Sequence, residues 1–144
     1  MYQISKSEIF EEAFNMLCDN LIGEGVHRQV YQCRLMPDAV VKVEKDNYQF
    51  TNIREYQVWE AVKDHKVLGK MFAPVLHISP DGKLLIMKRT STAYVYPDKL
   101  PVCMQDTKAA NYGMLDGRFV CHDYGLNGML EHGMSTRLRK VNWY

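Results

Sequence analysis

Carboxylate and amide side chains cluster in residues 103–125, which read CMQDTKAANYGMLDGRFVCHDYG. Asp106 and Asp123 lie on either side of Asn111 there. Their oxygen atoms are the hard ligands that Mg²⁺ prefers, and Mg²⁺ binds few protein groups because it keeps water and phosphate oxygens. A carboxylate can also orient an attacking hydroxyl during phosphoryl transfer. The stretch therefore suits a phosphate-handling site, with Asp106 for the hydroxyl and Asn111 and Asp123 for the metal.

The same stretch also predicts a β-hairpin. Residues 112–115 and 118–121 are strand-like and flank Asp116-Gly117, which is a strong turn signal. Taken alone, the polar residues could simply be the open ends of that hairpin. In either case the hairpin would hold the two candidate metal ligands side by side.

A glycine pair earlier in the chain could approach phosphates closely. Gly23 and Gly25 lie at a predicted tight turn before the strand-like segment that begins at Val30. Backbone amides at glycine can come close to a phosphate because no Cβ is in the way. An isolated pair of this kind is also found in ordinary hairpins, and that alternative stays open.

Lys42 lies in the predicted strand AVVKVEK, on the face opposite Val41 and Val43. It is either a solvent-facing lysine or a paired one, because lysine is seldom buried without a partner. Glu55 is the candidate partner, since it lies one helical turn before an apolar stripe that includes Val58. A lysine held by a glutamate is used to bind phosphates in phosphoryl transfer.

Hydrophobic periodicity predicts the elements that must position these residues. A helix begins after Ser5 or Ser7, either of which can cap it, with Glu8 in its first turn. The other predicted elements are strands at 30–36 and 39–45, a helix at about 47–63, and strands at 75–79 and 84–88 around the turn Pro80-Asp81-Gly82. This order predicts an α+β fold with an antiparallel sheet, formed by two or three strands before the second helix and a hairpin after it.

Composition narrows the class of protein. The chain has 144 residues, one domain's worth, and a net charge of +1, so no global field draws it to nucleic acid or an anionic membrane. The four cysteines are dispersed without zinc-ligand spacing, which favours reduced thiols in the cytoplasm. No long apolar run or signal-peptide pattern is present, and we expect no membrane contact.

Together the motifs resemble, in order and approximate spacing, those of the protein-kinase-like superfamily. The matching pieces are Gly23-x-Gly25 with Val30, Lys42 in V-V-K, Glu55, D-T-K-A-A-N from Asp106, and D-Y-G from Asp123. The resemblance covers residues 20–125. It implies one domain over residues 1–144, with a kinase-like N-lobe at about 1–89, comprising an antiparallel sheet and one αC-like helix. A much reduced C-lobe with the catalytic-loop hairpin would occupy about 90–144.

The resemblance implies a role for each matching residue. Asp106 is similar to the catalytic base and Lys108 to the lysine that steadies the transferred phosphate. Lys42 resembles the lysine that contacts the α- and β-phosphates, with Glu55 as its partner and Glu60 as a rival. The residues implied in ATP binding are Gly23, Gly25, Val30, Lys42, Met87, Lys88 and Arg89, and those implied as Mg²⁺ ligands are Asn111 and Asp123.

Several positions depart from the family pattern. Arg28 stands where the third glycine of the phosphate loop is expected, and it could reach a phosphate or face solvent. Met104-Gln105 precedes Asp106 where protein kinases have His-Arg. The chain between Thr90 and Asp106 is too short for the family's supporting helices. So short a form is typical of a compact genome, and we expect a bacteriophage protein in the cytoplasm of an infected host cell.

The missing helices would leave apolar side chains without cover. These side chains must pack against the last part of the sequence, a second subunit or a partner protein; they are Tyr94, Val95, Tyr96, Leu100, Val102 and Met104. We therefore expect a homo-oligomer or a complex with another protein. Residues 134–144 interleave basic and aromatic side chains, and we favour docking on the core over nucleic-acid binding.

Two functions follow as hypotheses. The first is a minimal kinase-like phosphotransferase that transfers the γ-phosphate of ATP to a hydroxyl of a protein or of itself, with Mg²⁺. The alternative is a catalytically weak or inactive kinase-like binding module that occludes or regulates a partner protein. The filled chemical positions favour the enzyme.

Overall fold

A computed structural model describes residues 5–46 and 49–144. The helices are α1 (Lys6–Leu17), α2 (Thr51–Val62) and α3 (Met129–His132). The strands are β1 (Cys18–Glu24), β2 (Arg28–Cys33), β3 (Ala39–Glu44), β4 (Val75–Ile78), β5 (Leu84–Lys88), β6 (Ser91–Thr92), β7 (Lys99–Pro101), β8 (Tyr112–Leu115), β9 (Arg118–Cys121) and β10 (Leu138–Lys140). Short 3₁₀ helices span Leu68–Lys70 and Ala109–Asn111. The predicted α+β class with antiparallel sheets is confirmed.

The main sheet has five antiparallel strands in the order β1-β2-β3-β5-β4. Its register places Lys42 of β3 between Val30 of β2 and Leu85 of β5. The β4–β5 hairpin turns at the predicted Pro-Asp-Gly, where Gly82 has φ 76°, a left-handed conformation that glycine adopts without strain. Lys42 therefore lies on the central strand, where it is most enclosed.

Helix α1 has a complete N-terminal cap but buries little surface against the main sheet. The Ser5 hydroxyl accepts the amide of Glu8, and the Glu8 carboxylate accepts the amide of Ser5, which is a capping box. No residue of α1 is buried. Its contact with the sheet runs through Phe14 and Leu17, which are partly buried against a small apolar cluster around Cys33.

The predicted bounds of strand β2 are wrong by two residues at its start and three at its end. Strand β2 begins at Arg28 and ends at Cys33, whereas the pattern predicted 30–36. The chain turns after Cys33 because the Gln32 amide donates to the carbonyls of Met36, Pro37 and Ala39. Helix α2 begins only at Thr51, and the start predicted at residue 47 lies outside the described residues.

The later part of the chain forms two small sheets, β6-β8-β9 and β10-β7. A parallel bridge pairs Phe72 with Cys121, and the Cys121 carbonyl accepts the amide of Ala73 at 2.8 Å. One apolar core contains residues from both parts, including Val62 of α2, Leu85 of β5, Val120 of β9 and others. The predicted division into lobes at about residue 90 stays a prediction.

Residues 138–144 cover part of the apolar surface of residues 94–104 that was expected to need a cover. Strand β10 pairs with β7, and Leu100 and Met104 are buried. Trp143 packs against Tyr96, with ring centroids 5.2 Å apart. Thus the favoured interpretation of this segment, docking on the core, is confirmed for Trp143. Tyr94 and Val95 remain exposed.

Among the described residues, no helix is both long enough and apolar enough to cross a bilayer.

Candidate functional site

A cavity of about 740 Å³ lies between the main sheet and the later part of the chain. Every predicted site residue except Glu55 lines it. The lining residues from the main sheet are Gly23, Gly25, Arg28, Val30, Lys42 and Met87 with the adjoining Lys88 and Arg89, and those from the later part are Asp106, Lys108, Asn111 and Asp123. Its volume is in the range of ligand pockets. The fold thus brings residues 100 positions apart in sequence, Gly23 and Asp123, to one cavity.

Lys42 and Glu55 form a buried ion pair behind this cavity. The Lys42 Nζ lies 3.1 and 3.0 Å from Glu55 Oε1 and Oε2, and it also donates to the carbonyl of His122. Three acceptors match the three N–H donors of an ammonium group. The rival Glu60 instead pairs with Lys63 on the surface of α2, with the two atoms 2.9 Å apart.

Arg28 is buried and joins three elements, so the solvent-facing alternative is wrong. Its Nη1 lies 2.5 Å from Glu55 Oε2 and 3.0 Å from Asn52 Oδ1, both on α2. Its Nη2 lies 2.9 Å from Asp123 Oδ1. The side chain at the expected third glycine therefore ties the start of β2 to α2 and to the D-Y-G motif, and it does not project freely into the cavity.

Two cations hold Glu55 in its ionised form. Burial alone would raise the pKa of Glu55, but the charges of Arg28 and Lys42 outweigh that effect and lower the pKa to about 2. The amide of Tyr124 also donates to Glu55 Oε1 at 2.8 Å. Although burial acts to lower the pKa of Arg28, the Glu55 charge raises it above its usual value. The Arg28–Glu55 pair is accordingly fully charged at neutral pH.

Asp106 lies in a short loop that its own hydrogen bonds shape. Asp106 Oδ1 accepts the amide of Lys108 at 3.1 Å, and Oδ2 accepts the side-chain amide of Asn111 at 2.9 Å. The Asp106 carbonyl accepts the hydroxyl of Tyr112 at 2.7 Å. Both carboxylate oxygens thus face donors, and the spacing D-x-K-x-x-N is what places Asn111 beside Asp106.

His122 fixes the distance between the two motifs of the later part. Its Nε2 lies 2.9 Å from the carbonyl of Ala110, and its Nδ1 lies 2.7 Å from the hydroxyl of Thr90. A carbonyl only accepts, so Nε2 carries the proton and Nδ1 accepts from Thr90. Burial, and then the Lys42 charge, lower the pKa of His122, which keeps the ring neutral. Sequence patterns gave no signal for this residue.

The predicted metal ligands have suitable chemistry but form an incomplete set. Asn111 and Asp123 offer an amide oxygen and a half-exposed carboxylate, and both line the cavity. In the described part of the chain, no group of three or more His, Cys, Asp and Glu side chains could hold a metal. The two residues therefore fit Mg²⁺ only together with water and phosphate oxygens, which is how Mg²⁺ is commonly bound.

The glycine turn leaves space that the protein does not fill. A Cβ built on Gly23 would lie 3.7 Å from its nearest neighbour, Val30, and one on Gly25 would lie 4.0 Å from the carbonyl of Arg28. Neither glycine has a left-handed backbone. Protein packing thus gives no reason for glycine at either position, whereas close approach of a ligand would give one.

Two polar atoms in the cavity wall lack a hydrogen-bond partner among the described residues. They are His27 Nδ1 and Thr51 Oγ1, and both side-chain atoms are buried. Buried polar atoms in native proteins are nearly always satisfied, so an unpaired one calls for an explanation. Because neither atom is accessible, a ligand in the cavity would not reach either one without a rearrangement of the wall.

The structure is similar to solved aminoglycoside phosphotransferases, which are protein-kinase-like. The streptomycin–ATP ternary complex of APH(2″)-IIa shares 20% identity and a TM-score of 0.44, over 66% of this chain and 31% of that one. The gentamicin complex of the same enzyme shares 20% identity and a TM-score of 0.46, over 66% of this chain and 31% of that one. ADP-bound APH(2″)-Ib shares 21% identity and a TM-score of 0.45, over 63% of this chain and 30% of that one. This chain therefore spans about a third of their length.

No protein-family model matches the sequence, and no curated protein matches it.

Proposed function

We propose that this protein is a minimal phosphotransferase that binds ATP in the cavity and transfers its γ-phosphate to a hydroxyl group. The observation that carries this proposal is the arrangement of opposite walls around one space. Lys42, held by Glu55, lies on the sheet side, and Asp106, Asn111 and Asp123 lie on the other side. Phosphoryl transfer depends on positioning and charge stabilisation, which these groups are suited to provide.

Each residue has a defined role in this proposal. The open turn at Gly23 and Gly25 receives the phosphates with backbone amides, and Lys42 contacts them as a cation. Asp106 accepts the proton of the attacking hydroxyl, and Lys108 steadies the transferred group. The adenine base of ATP would lie near Val30 and residues 87–89. When bound by Asn111 and Asp123, Mg²⁺ would neutralise phosphate charge.

The test is transfer of label from γ-labelled ATP in the presence of Mg²⁺. Wild type should incorporate label, and Asp106→Asn should reduce incorporation by about 10²-fold or more, because the acceptor loses its base. Asp123→Asn should do the same through the loss of a metal ligand. Lys63→Gln is a matched control, because it removes a lysine that is ion-paired to a glutamate on α2 but does not line the cavity. Label that persists undiminished in both aspartate variants would refute the assigned chemistry.

A binding module without catalysis is the second candidate, and one observation favours it. Asp123 is already paired with Arg28, and Asp106 with Asn111, so the acidic groups are occupied within the chain. Nucleotide would then stabilise the fold without being consumed. ATP that raises the melting temperature while no label is transferred and no ADP is released would select this function.

The wider biological setting is also a proposal. A cytoplasmic location agrees with the four cysteines, which are all free and buried. A homo-oligomer or a protein complex would bury the exposed side chains of Tyr94 and Val95. Light scattering at increasing protein concentration tests the oligomer directly, and a constant monomer mass would exclude it.

A further inference from the structure

The hydroxyl of Tyr144 meets the carboxylate of Asp106. The Tyr144 hydroxyl oxygen lies 3.4 Å from Asp106 Oδ1, while the tyrosine side chain is largely exposed. Asp106 lines the cavity, and Tyr144 approaches it from the surface. Among the hydroxyl groups of residues 5–46 and 49–144, that of Tyr144 alone contacts this carboxylate. Tyr112, the other nearby tyrosine, is buried and donates to the Asp106 carbonyl.

Backbone contacts hold Tyr144 in this position. Its carbonyl accepts the amide of Ala109 at 2.8 Å, and its amide donates to the carbonyl of Thr107 at 3.4 Å. The Thr107 hydroxyl donates to the carbonyl of Asn142 at 3.1 Å. Residues 142–144 are thus bound along the loop that carries Asp106, so the side chain is placed there by its backbone.

Aromatic packing anchors the same segment one residue earlier. The Trp143 indole nitrogen donates to the carbonyl of Pro97 at 2.9 Å. Its ring lies edge-on to those of Tyr112 and Phe119, with ring centroids 4.9 and 5.6 Å away, respectively. Tyr144 therefore extends from a fixed point. A reacting group held in this way behaves as if it were present at very high local concentration.

We propose that Tyr144 is the phosphoryl acceptor, so that the protein phosphorylates its own chain; this rests on the phosphotransferase function proposed above. The Tyr144 oxygen forms a bond to the γ-phosphorus of a nucleoside triphosphate, and the bond from that phosphorus to the bridging oxygen breaks. The bridging oxygen leaves with the electron pair as nucleoside diphosphate. The hydroxyl proton passes to Asp106 and then to water.

The electrostatics of the contact determine the resting state of the Tyr144 hydroxyl. The nearby Asp106 charge raises the pKa of Tyr144, so the hydroxyl stays protonated at rest and donates to the carboxylate. After transfer, the phosphate would face the same carboxylate, and like charges repel. The product would accordingly leave Asp106.

The experiment uses the full chain with γ-labelled ATP and Mg²⁺, and locates the phosphate by tandem mass spectrometry. Wild type should carry it on Tyr144. Tyr144→Phe keeps the ring and removes the acceptor, and its labelling should fall by about tenfold or more. Tyr94→Phe is the matched control, because Tyr94 is equally exposed, at 78% against 75% for Tyr144, and should label as wild type does.

The kinetics distinguish transfer within one chain from transfer between chains. The labelling rate constant should not change with protein concentration, and wild type should not label Asp106→Asn, whose Tyr144 is intact. Transfer onto that variant, or a rate constant that rises with concentration, would overturn the intramolecular geometry.

The remaining outcomes separate the two proposals. ADP release that depends on Asp106, with phosphate on another residue or on an added peptide only, would overturn the role of Tyr144 and leave the phosphotransferase standing. If Tyr144→Phe labels an added peptide faster than wild type does, and Tyr144 of wild type carries no label, then Tyr144 blocks the site. That outcome would overturn its role as the acceptor. Absence of both nucleotide binding and ADP release in wild type would refute the proposed function itself.

Discussion

At the scale of single residues, Arg28 has the most unusual position in the molecule. It brings a second cation to Glu55, next to Lys42, and reaches Asp123 across the cavity wall. Two cations and two carboxylates therefore lie together, with Arg28, Lys42 and Glu55 buried and Asp123 half-exposed. A buried charge of this kind stabilises a structure only while its partners stay in place.

Replacing Arg28 should be costly for this reason. Arg28→Ala leaves Glu55 with one cation, and we expect the free energy of unfolding to fall by about 3 kcal/mol. Chemical denaturation measures it. Lys63→Ala is the control, because the pair of Lys63 with Glu60 lies on the protein surface; the expected change is within about 0.5 kcal/mol. Equal effects of the two substitutions would contradict the buried network.

Acid should also break this network. The pKa of Glu55 is lowered from 4.5 to about 2 in the folded protein, so the folded state binds fewer protons than the unfolded state in that range. The stabilisation is complete above pH 4.5 and is lost as pH falls towards 2. Integrated over this range the loss is about 3 kcal/mol.

Denaturation at a series of pH values isolates the part due to Glu55. Glu24, Asp38 and Asp81 also have lowered pKa values, so wild type alone does not resolve it. Glu55→Gln should flatten the profile between pH 4.5 and 2, whereas Glu60→Gln should leave its slope unchanged. A Glu55→Gln profile as steep as that of wild type would show that this carboxylate does not titrate in the range.

At the scale of elements, residues 138–144 support the loop of Asp106. Strand β10 pairs with β7, and Arg139 donates to the carbonyl of Met104 at 3.2 Å, next to the loop of Asp106. Trp143 completes a cluster with Tyr96, Tyr112 and Phe119. The support for the candidate site thus comes from one extended segment rather than from a layer of helices.

Removing the indole should show the strength of this support. Trp143→Ala should lower the free energy of unfolding by about 3 kcal/mol, because it empties a partly buried aromatic site. Tyr94→Ala, which truncates an exposed ring, should change it by no more than about 0.5 kcal/mol. If thermal or chemical denaturation gives similar losses for both, the packing of residues 138–144 is weaker than its contacts indicate.

The elements themselves were largely predictable from sequence. Turn residues located the hairpins β4–β5 and β8–β9 because Asp-Gly and Pro-Asp-Gly determine local backbone geometry. The β7–β10 pair was missed, since strands of three residues separated by a long interval carry no local signal. The burial of Arg28 was missed for a related reason: its partners, Glu55 and Asp123, are far away in sequence. Local patterns cannot report such contacts.

At the scale of the whole molecule, one core joins the two parts. Phe72 and Tyr124 stack edge-on with centroids 4.9 Å apart, and the Tyr124 hydroxyl donates to the carbonyl of Ala73 at 2.7 Å. The side chain of Tyr124 is fully buried. Neither part can therefore separate without exposing this core, and the parts should unfold together.

The two tryptophans allow a direct test, because Trp59 lies in α2 and Trp143 in the last segment. Trp59→Phe leaves only the later reporter and Trp143→Phe only the earlier one. In each variant, the denaturation midpoint from fluorescence should coincide with that from far-ultraviolet circular dichroism. Midpoints that differ within a variant would show that the later part opens independently.

The hydrogen bonds between residues 107–109 and Tyr144 also bear on the order in which the chain folds during its synthesis on the ribosome. Chains fold from the N-terminal side as they emerge. Residues 138–144 are translated after the loop of Asp106 that they support. Until those residues emerge, the loop of Asp106 lacks its supporting strand. We expect the loop of Asp106 to reach its final conformation only after residues 138–144 have been translated.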